Sequence, residues 1–415
     1  MKSPSIFGGL FIYRLNNYIR PMRKITADYI FPISSKPLKN GLIIIEDNGK
    51  IIDVLPNKNN SGDDVEYHRG IICPGFINSH CHLELSFFKG MLAEHTGLDV
   101  FIRDILALKR PELDIIHQSI IDAEDEMLKN GIVAVGDISN GDTTYLQKAK
   151  RNMIYHTFIE VFAFDPAKSA DVFANAVKLF GEYPEGLHKS ITPHAPYSVS
   201  DELFKLIHDF SQKNNSILSI HNQECDGENE LFQTKSGTIY ERIKSWGTDL
   251  SHFHPTGKNS IQSYLHKMPQ DSKILLVHNT VTTLEDIQWA TNNHQHLYWC
   301  FCPNANLYIE NKLASFQAFI AANARCVVGT DSYASNWSLS VLDELKTISK
   351  NDPSINLETL LLWATKNGAE FMNFDSKLGT LEKGKQPGIN LIYDLDGLKL
   401  TPETKVKSLT YLFRT

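Results

Sequence analysis

Eight short runs rich in β-branched and aromatic residues recur through the middle of the chain. Helix-like sequence separates successive runs, and this alternation restricts the fold more than any other feature. The runs are 71–80 (IICPGFINSH), 132–139 (IVAVGDIS), 153–162 (MIYHTFIEVF), 189–196 (KSITPHAP), 216–224 (SILSIHNQE), 273–280 (KILLVHNT), 297–306 (LYWCFCPNAN) and 326–332 (CVVGTDS). Apolar periodicity predicts helices between and after them, among them 115–130, 201–213, 284–292 and 357–366. Strand–helix alternation is the mark of parallel βα units, whose right-handed crossovers bury both faces of the sheet. Eight units predict an α/β fold, a closed (β/α)8 barrel of the TIM type.

A barrel of about 250–300 residues leaves part of this 415-residue chain over. The two ends supply the remainder, because both return to short alternating strands. Near the start these are ITADYIFPI and GLIIIEDNGKIIDVL, where Asn48-Gly49 predicts a two-residue hairpin. Near the end they are 389–395 and 406–413. The expected organisation is an N-terminal extension (1–21), a small β-sandwich domain composed of 22–72 plus 380–415, and a barrel over 73–379.

Composition narrows the class of function. Apolar residues make up 42% and charged residues 21%, as in ordinary globular proteins. A formal charge of −7 without a basic cluster argues against a nucleic-acid partner. The apolar run 6–13 is too short to span a bilayer and has no small-residue cleavage site, so neither a membrane span nor a signal peptide is expected. Six cysteines with no CxxC pair predict reduced thiols and a cytoplasmic location. The expected partner is a small-molecule substrate; a homo-oligomer stays open.

Histidines and acids collect at the C-terminal ends of the predicted strands: His80 and His82, His194, His221 with Glu224, His278, and Asp331. That edge is where barrel enzymes build active sites. In His80-Cys81-His82 the two imidazoles share one side of an extended strand, so Cys81 faces the other way and reads as packing. Adding His221 and Asp331 gives three imidazoles and a carboxylate, a set suited to one Zn²⁺ or Fe²⁺ ion plus a water. Asp331 has a helix N-cap as its alternative role. A second ion needs a bridging group such as a carboxylated lysine at the fourth strand's end; there the sequence has His194, with Lys189 back at the start. Glu224, three residues after His221, suits general acid–base work, the alternative being a solvated loop acid. His278 suits orientation of a water, the alternative being a core histidine.

PGFINSHCHLE, PHAPYS, HNQE, LLVHNT, CPNANL and GTDS occur in an order and spacing that resembles the amidohydrolase superfamily, in particular its branch of aromatic and nucleoside deaminases and chlorohydrolases. The resemblance runs from about Ala27 to the C-terminus. It implies that His80, His82, His221 and Asp331 are metal ligands, Glu224 the proton-shuttling glutamate, His278 the histidine at the hydrolytic water, and His194 and Glu84 substrate contacts. Asp331 also joins Glu224 and His278 in the implied catalysis. Cys81 replaces a common threonine, and LELSFFKG lacks the glutamine usual in guanine deaminases. The adenosylhomocysteine and methylthioadenosine deaminases usually have an apolar residue where Glu84 stands; HLELS is more similar to the aminodeoxyfutalosine deaminases. The resemblance implies hydrolytic deamination of an adenine-type nucleoside, with dechlorination, cyclic-amide hydrolysis or an inactive scaffold as alternatives.

Overall fold

Ile25 and Ala27 alternate onto one side of the first strand, and a register shift between Ala27 and Tyr29 brings Ile30 to the same buried side. A computed structural model describes residues 22–56 and 64–410; the expected extension 1–21 and the last residues of the 406–413 strand lie outside the described residues. Five strands open the described chain: β1 (Met22–Ile30), β2 (Leu38–Lys39), β3 (Leu42–Glu46), β4 (Ile51–Leu55) and β5 (Val65–Pro74). Eight follow in the middle: β6 (Phe76–Cys81), β7 (Ile132–Ser139), β8 (Ile154–Val161), β9 (His188–Pro193), β10 (Leu218–Asn222), β11 (Ile274–His278), β12 (Leu297–Phe301) and β13 (Cys326–Val328). The last two are β14 (Ile389–Tyr393) and β15 (Lys405–Thr410).

The two ends meet in one mixed sheet of order β15-β14-β5-β1-β3-β4, with β2 paired to β1. β5 is the link, parallel to β1 on one edge and antiparallel to β14 on the other. Ile43, Ile45, Ile51, Ile72, Ile389 and Leu391 join the buried residues of β1 in the core of this unit. The β3–β4 hairpin differs from expectation. Its loop has three residues rather than two: Gly49 N–H bonds to Glu46 O at 2.8 Å, Glu46 N–H bonds to Lys50 O at 2.9 Å, and only Gly49, at φ 82°, is left-handed. A two-residue type I′ turn would need Asn48 left-handed as well.

The middle strands form two parallel four-stranded sheets, β6-β7-β8-β9 and β10-β11-β12-β13. Helices such as Leu113–Lys129, Asp201–Asn214 and Leu284–Asn293 lie between strands. Several expected runs are shorter or divided, among them 326–332, which is a strand only over Cys326–Val328, and 189–196, whose strand ends at Pro193. The first, 71–80, is two strands broken at Gly75, where a Cβ would sit 2.3 Å from the Val133 side chain and 2.8 Å from Pro387 O. The run 297–306 ends at Phe301, and Pro303 opens helix Pro303–Glu310 at a position where its missing N–H has no partner to lose. The run 216–224 ends at Asn222, so Glu224 lies past the strand.

Polar contacts join the facing edges of the two sheets. At the β9–β10 edge Thr192 Oγ1 accepts from Ser219 N–H at 2.7 Å, and His221 N–H donates to His194 O at 2.9 Å. At the β13–β6 edge Thr330 and Asp331 N–H groups both donate to His80 O, at 3.0 and 3.1 Å. Gly329 permits that approach, since a Cβ would lie 2.8 Å from His80 Cβ. One strand parity (Ile77, Phe158, Leu275, Val277, Tyr298, Cys300, Val327) packs together, and the other (Tyr155, Ile159, Leu218, Ile220, Leu276, Trp299, Val328) packs in a second cluster with helix residues such as Ile116 and Leu345. The fold is TIM-barrel-like. All six cysteines are free and buried, and no helix among the described residues is long and apolar enough to cross a membrane.

Candidate active site

β6 ends in the His80-Cys81-His82 segment, where a register shift between Asn78 and Cys81 reverses the parity set by Ile77; the two imidazoles, two residues apart, converge while Cys81 joins the apolar core. His80 Nε2 and His82 Nε2 are 3.2 Å apart. Asp331 Oδ1 lies 3.6 Å from His80 Nε2 and 3.5 Å from His82 Nε2. His221, on the inward parity of β10, brings its ring to 5.0 Å from His80 and 5.5 Å from His82. Its Nδ1 is 2.8 Å from His194 O, a bond that fixes the tautomer and leaves Nε2 as the free ring nitrogen. Two overlapping groups result, His80/His82/Asp331 and His80/His221/His278, each with ligand-capable atoms within 4.8 Å of one another.

His278 reaches this cluster by a distortion of the backbone. Leu275 and Val277 share the inward parity of β11, so a regular strand would turn residue 278 outward. His278 instead has φ 73°, and its ring lies 5.4 Å from that of His221 and 5.9 Å from that of His80. Asp331, at φ 57°, is also left-handed. Non-glycine residues held this way cost about 1–3 kcal/mol each and gather where function needs them. His278 Nδ1 is anchored 2.8 Å from Asn306 Oδ1, and its Nε2 lies 3.6 Å from Glu224 Oε1. Asp331 Oδ2 accepts from Ser335 Oγ at 2.6 Å.

Burial governs the charge states. It pulls His82 down to about 3 and His278 and His194 to about 4, and it drives His221 well below the usual histidine range. It pushes Glu224 well above the ordinary carboxylate value, with Asp331 adding to the shift. Burial alone would raise Asp331 too, but the surrounding imidazoles reverse this and hold it well below the carboxylate range. No Lys or Arg among the described residues pairs with Asp331. Its countercharge from the chain itself is therefore imidazolium, which burial opposes at His82, His221 and His278. A divalent cation relieves this conflict, so the donor set fits a metal ion.

The expected substrate contacts sit on either side. His194 follows β9, with Nδ1 2.8 Å from Ser198 Oγ and its ring 4.8 Å from that of His221. Glu84 is buried in the turn Leu83–Phe88; its Oε1 accepts from Asn140 N–H at 3.1 Å, and burial raises it to about 7. Sequence reasoning missed Glu160, near the end of β8. It is buried, raised to about 7 chiefly by burial, and 3.6 Å from His221 Nδ1. Its signal was an acid on the same parity as Phe158. Also missed was a wholly buried ion pair beneath the Glu84 turn, Lys148 Nζ to Asp137 Oδ2 at 2.5 Å, in which Asp137 Oδ1 holds Leu83 N–H at 2.7 Å.

Parallel strands that deliver buried imidazoles and a carboxylate to one edge, with a buried glutamate beside them, define the class: a TIM-barrel-like hydrolase. More particularly, the chain belongs to the amidohydrolase family, whose pattern matches residues 71–410. It is 26% identical over 408 residues to a 5-methylthioadenosine/S-adenosylhomocysteine deaminase of Saccharophagus degradans, covering 92% of this chain and 86% of the relative. The crystal structure of Helicobacter pylori aminofutalosine deaminase superposes with a TM-score of 0.75 at 22% identity, covering 92% of this chain and 94% of that one. An adenosine deaminase of Xanthomonas campestris with bound zinc gives a TM-score of 0.70 at 21% identity, with 92% and 86% covered. At these identities the two superpositions speak for the shared fold.

Proposed function

We propose that this chain is a mononuclear metal-dependent deaminase of an adenine-type nucleoside, with 6-amino-6-deoxyfutalosine the first substrate to test. The observation that carries the reading is that His80 gathers with His82 and Asp331 on one side and with His221 and His278 on the other, with the buried acid Glu224 3.6 Å from His278. The relatives' names, which are nucleoside deaminases, support the substrate class. We read the two parallel sheets as halves of one closed (β/α)8 barrel (73–379). The terminal sheet, from 22–72 and 380–415, is read as a sandwich-type domain against it.

In this reading His80, His82, His221 and Asp331 hold one Zn²⁺ or Fe²⁺ ion. When bound, such an ion supplies Lewis-acid activation of water near neutral pH. His278, set by Asn306, orients the attacking water. Glu224 gives its proton to the ring nitrogen beside the amino-bearing carbon. The water oxygen bonds to that carbon, and Glu224 passes a water proton to the departing amine. Ammonia leaves, the remaining hydroxyl proton returns to Glu224, and a carbonyl remains. Glu84 and His194 fix the substrate beyond the reacting carbon.

Elemental analysis and an ammonia-release screen over nucleosides, free purines, pyrimidines and triazines test the proposal together. The expected result is about one metal per chain, ammonia from the adenine nucleoside, and loss of both metal and activity in His221→Ala. Metal-free active protein, or a preference for guanine, cytosine or a chlorinated triazine, overturns it.

A further inference from the structure

One buried carboxylate oxygen at the site has no work in the reaction described above. Glu160 Oε2 accepts from Asn140 Nδ2 at 3.0 Å, but Glu160 Oε1 is buried without a hydrogen-bond partner. The nearby His221 Nδ1, at 3.6 Å, is committed to His194 O at 2.8 Å. Leaving such an oxygen unmet costs about 1–3 kcal/mol, more for a charged group, so its retention calls for a partner absent from the chain. The same wall carries a second anomaly. Phe162, two residues on and on the same parity, is 55% exposed, with its ring 6.0 Å from that of His194. Asn140 ties the wall to the expected substrate contact, since its own N–H holds Glu84 Oε1.

We infer that Glu160 is a specificity-determining residue whose free oxygen accepts a hydrogen bond from a hydroxyl on the glycosyl part of the substrate, with Phe162 covering an apolar stretch beside it. This rests on the nucleoside reading. The geometry selects a neutral donor-bearing group and rejects a carboxylate or phosphate at that position, where Glu84 and Glu160 stand one asparagine apart. A second cation is the rival occupant, because ligand-capable atoms of Glu160, His194 and His221 lie within 4.8 Å of one another. The bond from His221 Nδ1 to His194 O argues against it, since the nitrogen nearest Glu160 then bears a proton rather than a lone pair.

The test compares the metal-loaded wild type, Glu160→Gln and Glu160→Ala on the adenine nucleoside and on its 2′-deoxy and 3′-deoxy analogues. In the wild type, loss of the recognised hydroxyl should lower kcat/KM by about 10²- to 10⁴-fold, as in sites built around a substrate hydroxyl. In Glu160→Ala that discrimination should collapse to within about 3-fold, mostly through KM. The melting temperature of ligand-free Glu160→Gln should match that of the wild type, because the free oxygen has no partner within the chain to lose. Equal losses on hydroxylated and deoxy substrates, or a lowered melting temperature in Glu160→Gln, would make the residue structural and overturn the inference. Two bound metals falling to one in Glu160→Ala would assign the wall to a cation. If the wild type prefers a bare heterocycle, the nucleoside reading fails first and takes this one with it; the wild-type data alone identify that case.

Discussion

Replacing Lys148 by methionine keeps the aliphatic stem and removes one charge from the interior. The ammonium lies wholly buried 2.5 Å from Asp137 Oδ2 and also donates to Thr157 Oγ1 at 2.8 Å and Ser139 Oγ at 3.1 Å. Stranding one member of a buried pair costs about 3–5 kcal/mol. Asp137 keeps two donors, Leu83 N–H at 2.7 Å and Ser139 Oγ at 3.3 Å, which places the expected loss at the lower end, about 3 kcal/mol. The double variant Asp137→Asn/Lys148→Met carries no stranded charge, and an amide oxygen still accepts from Leu83, so about 2 kcal/mol should return. Urea unfolding of the two singles and the double, followed by tryptophan fluorescence, measures this coupling. Because Leu83 stands between His82 and Glu84, Lys148→Met should also lower kcat/KM. A loss below about 1 kcal/mol in Lys148→Met, or a double variant no more stable than the single, refutes the reasoning.

Glu224→Gln should retain its metal by elemental analysis yet lose about 10²- to 10⁴-fold in turnover, because the amide cannot shuttle a proton; near-wild-type turnover would place proton transfer elsewhere. His156, buried with Nε2 3.0 Å from Ser190 Oγ, is pulled down by burial to about 3 from 6.5. Between those values the unfolded chain binds the extra proton, so this contribution is fully present above pH 6.5 and is lost as pH falls, by up to about 1.4 kcal/mol per pH unit. His156→Gln should flatten the decline of unfolding free energy on acidification; an unchanged slope would show that His156 does not carry it.

The alternation of strands and helices was legible because both faces of a parallel sheet are buried and its strands read as apolar runs. The polar residues at their ends were legible because nothing apolar competes there. What escaped followed from local geometry. Parity alone places His278 outside β11, and only its left-handed backbone turns it inward. The run 71–80 is apolar on both sides of Pro74-Gly75, which marks entry to the barrel strand; that Gly75 separates two strands of different sheets follows from its close packing against Val133 and Pro387. Glu160 and Lys148 escaped because acids and lysines are ordinarily exposed, and burial here depends on partners brought in from neighbouring strands and turns: Asn140 for one, Asp137 and Thr157 for the other.

β5 has an edge that stays open through most of the chain's synthesis. Its partner β1 precedes it in the chain, but its other edge is covered by β14, which follows all of the barrel sequence. Until then Ile71, Ile72 and Cys73 present unpaired backbone groups beside an apolar face. Closing so long a loop adds little free energy, since the cost grows only with the logarithm of its length. The burden is one of time: a nascent or truncated chain ending before Ile389 carries an adhesive strand edge, which makes this seam the place where incomplete chains would associate.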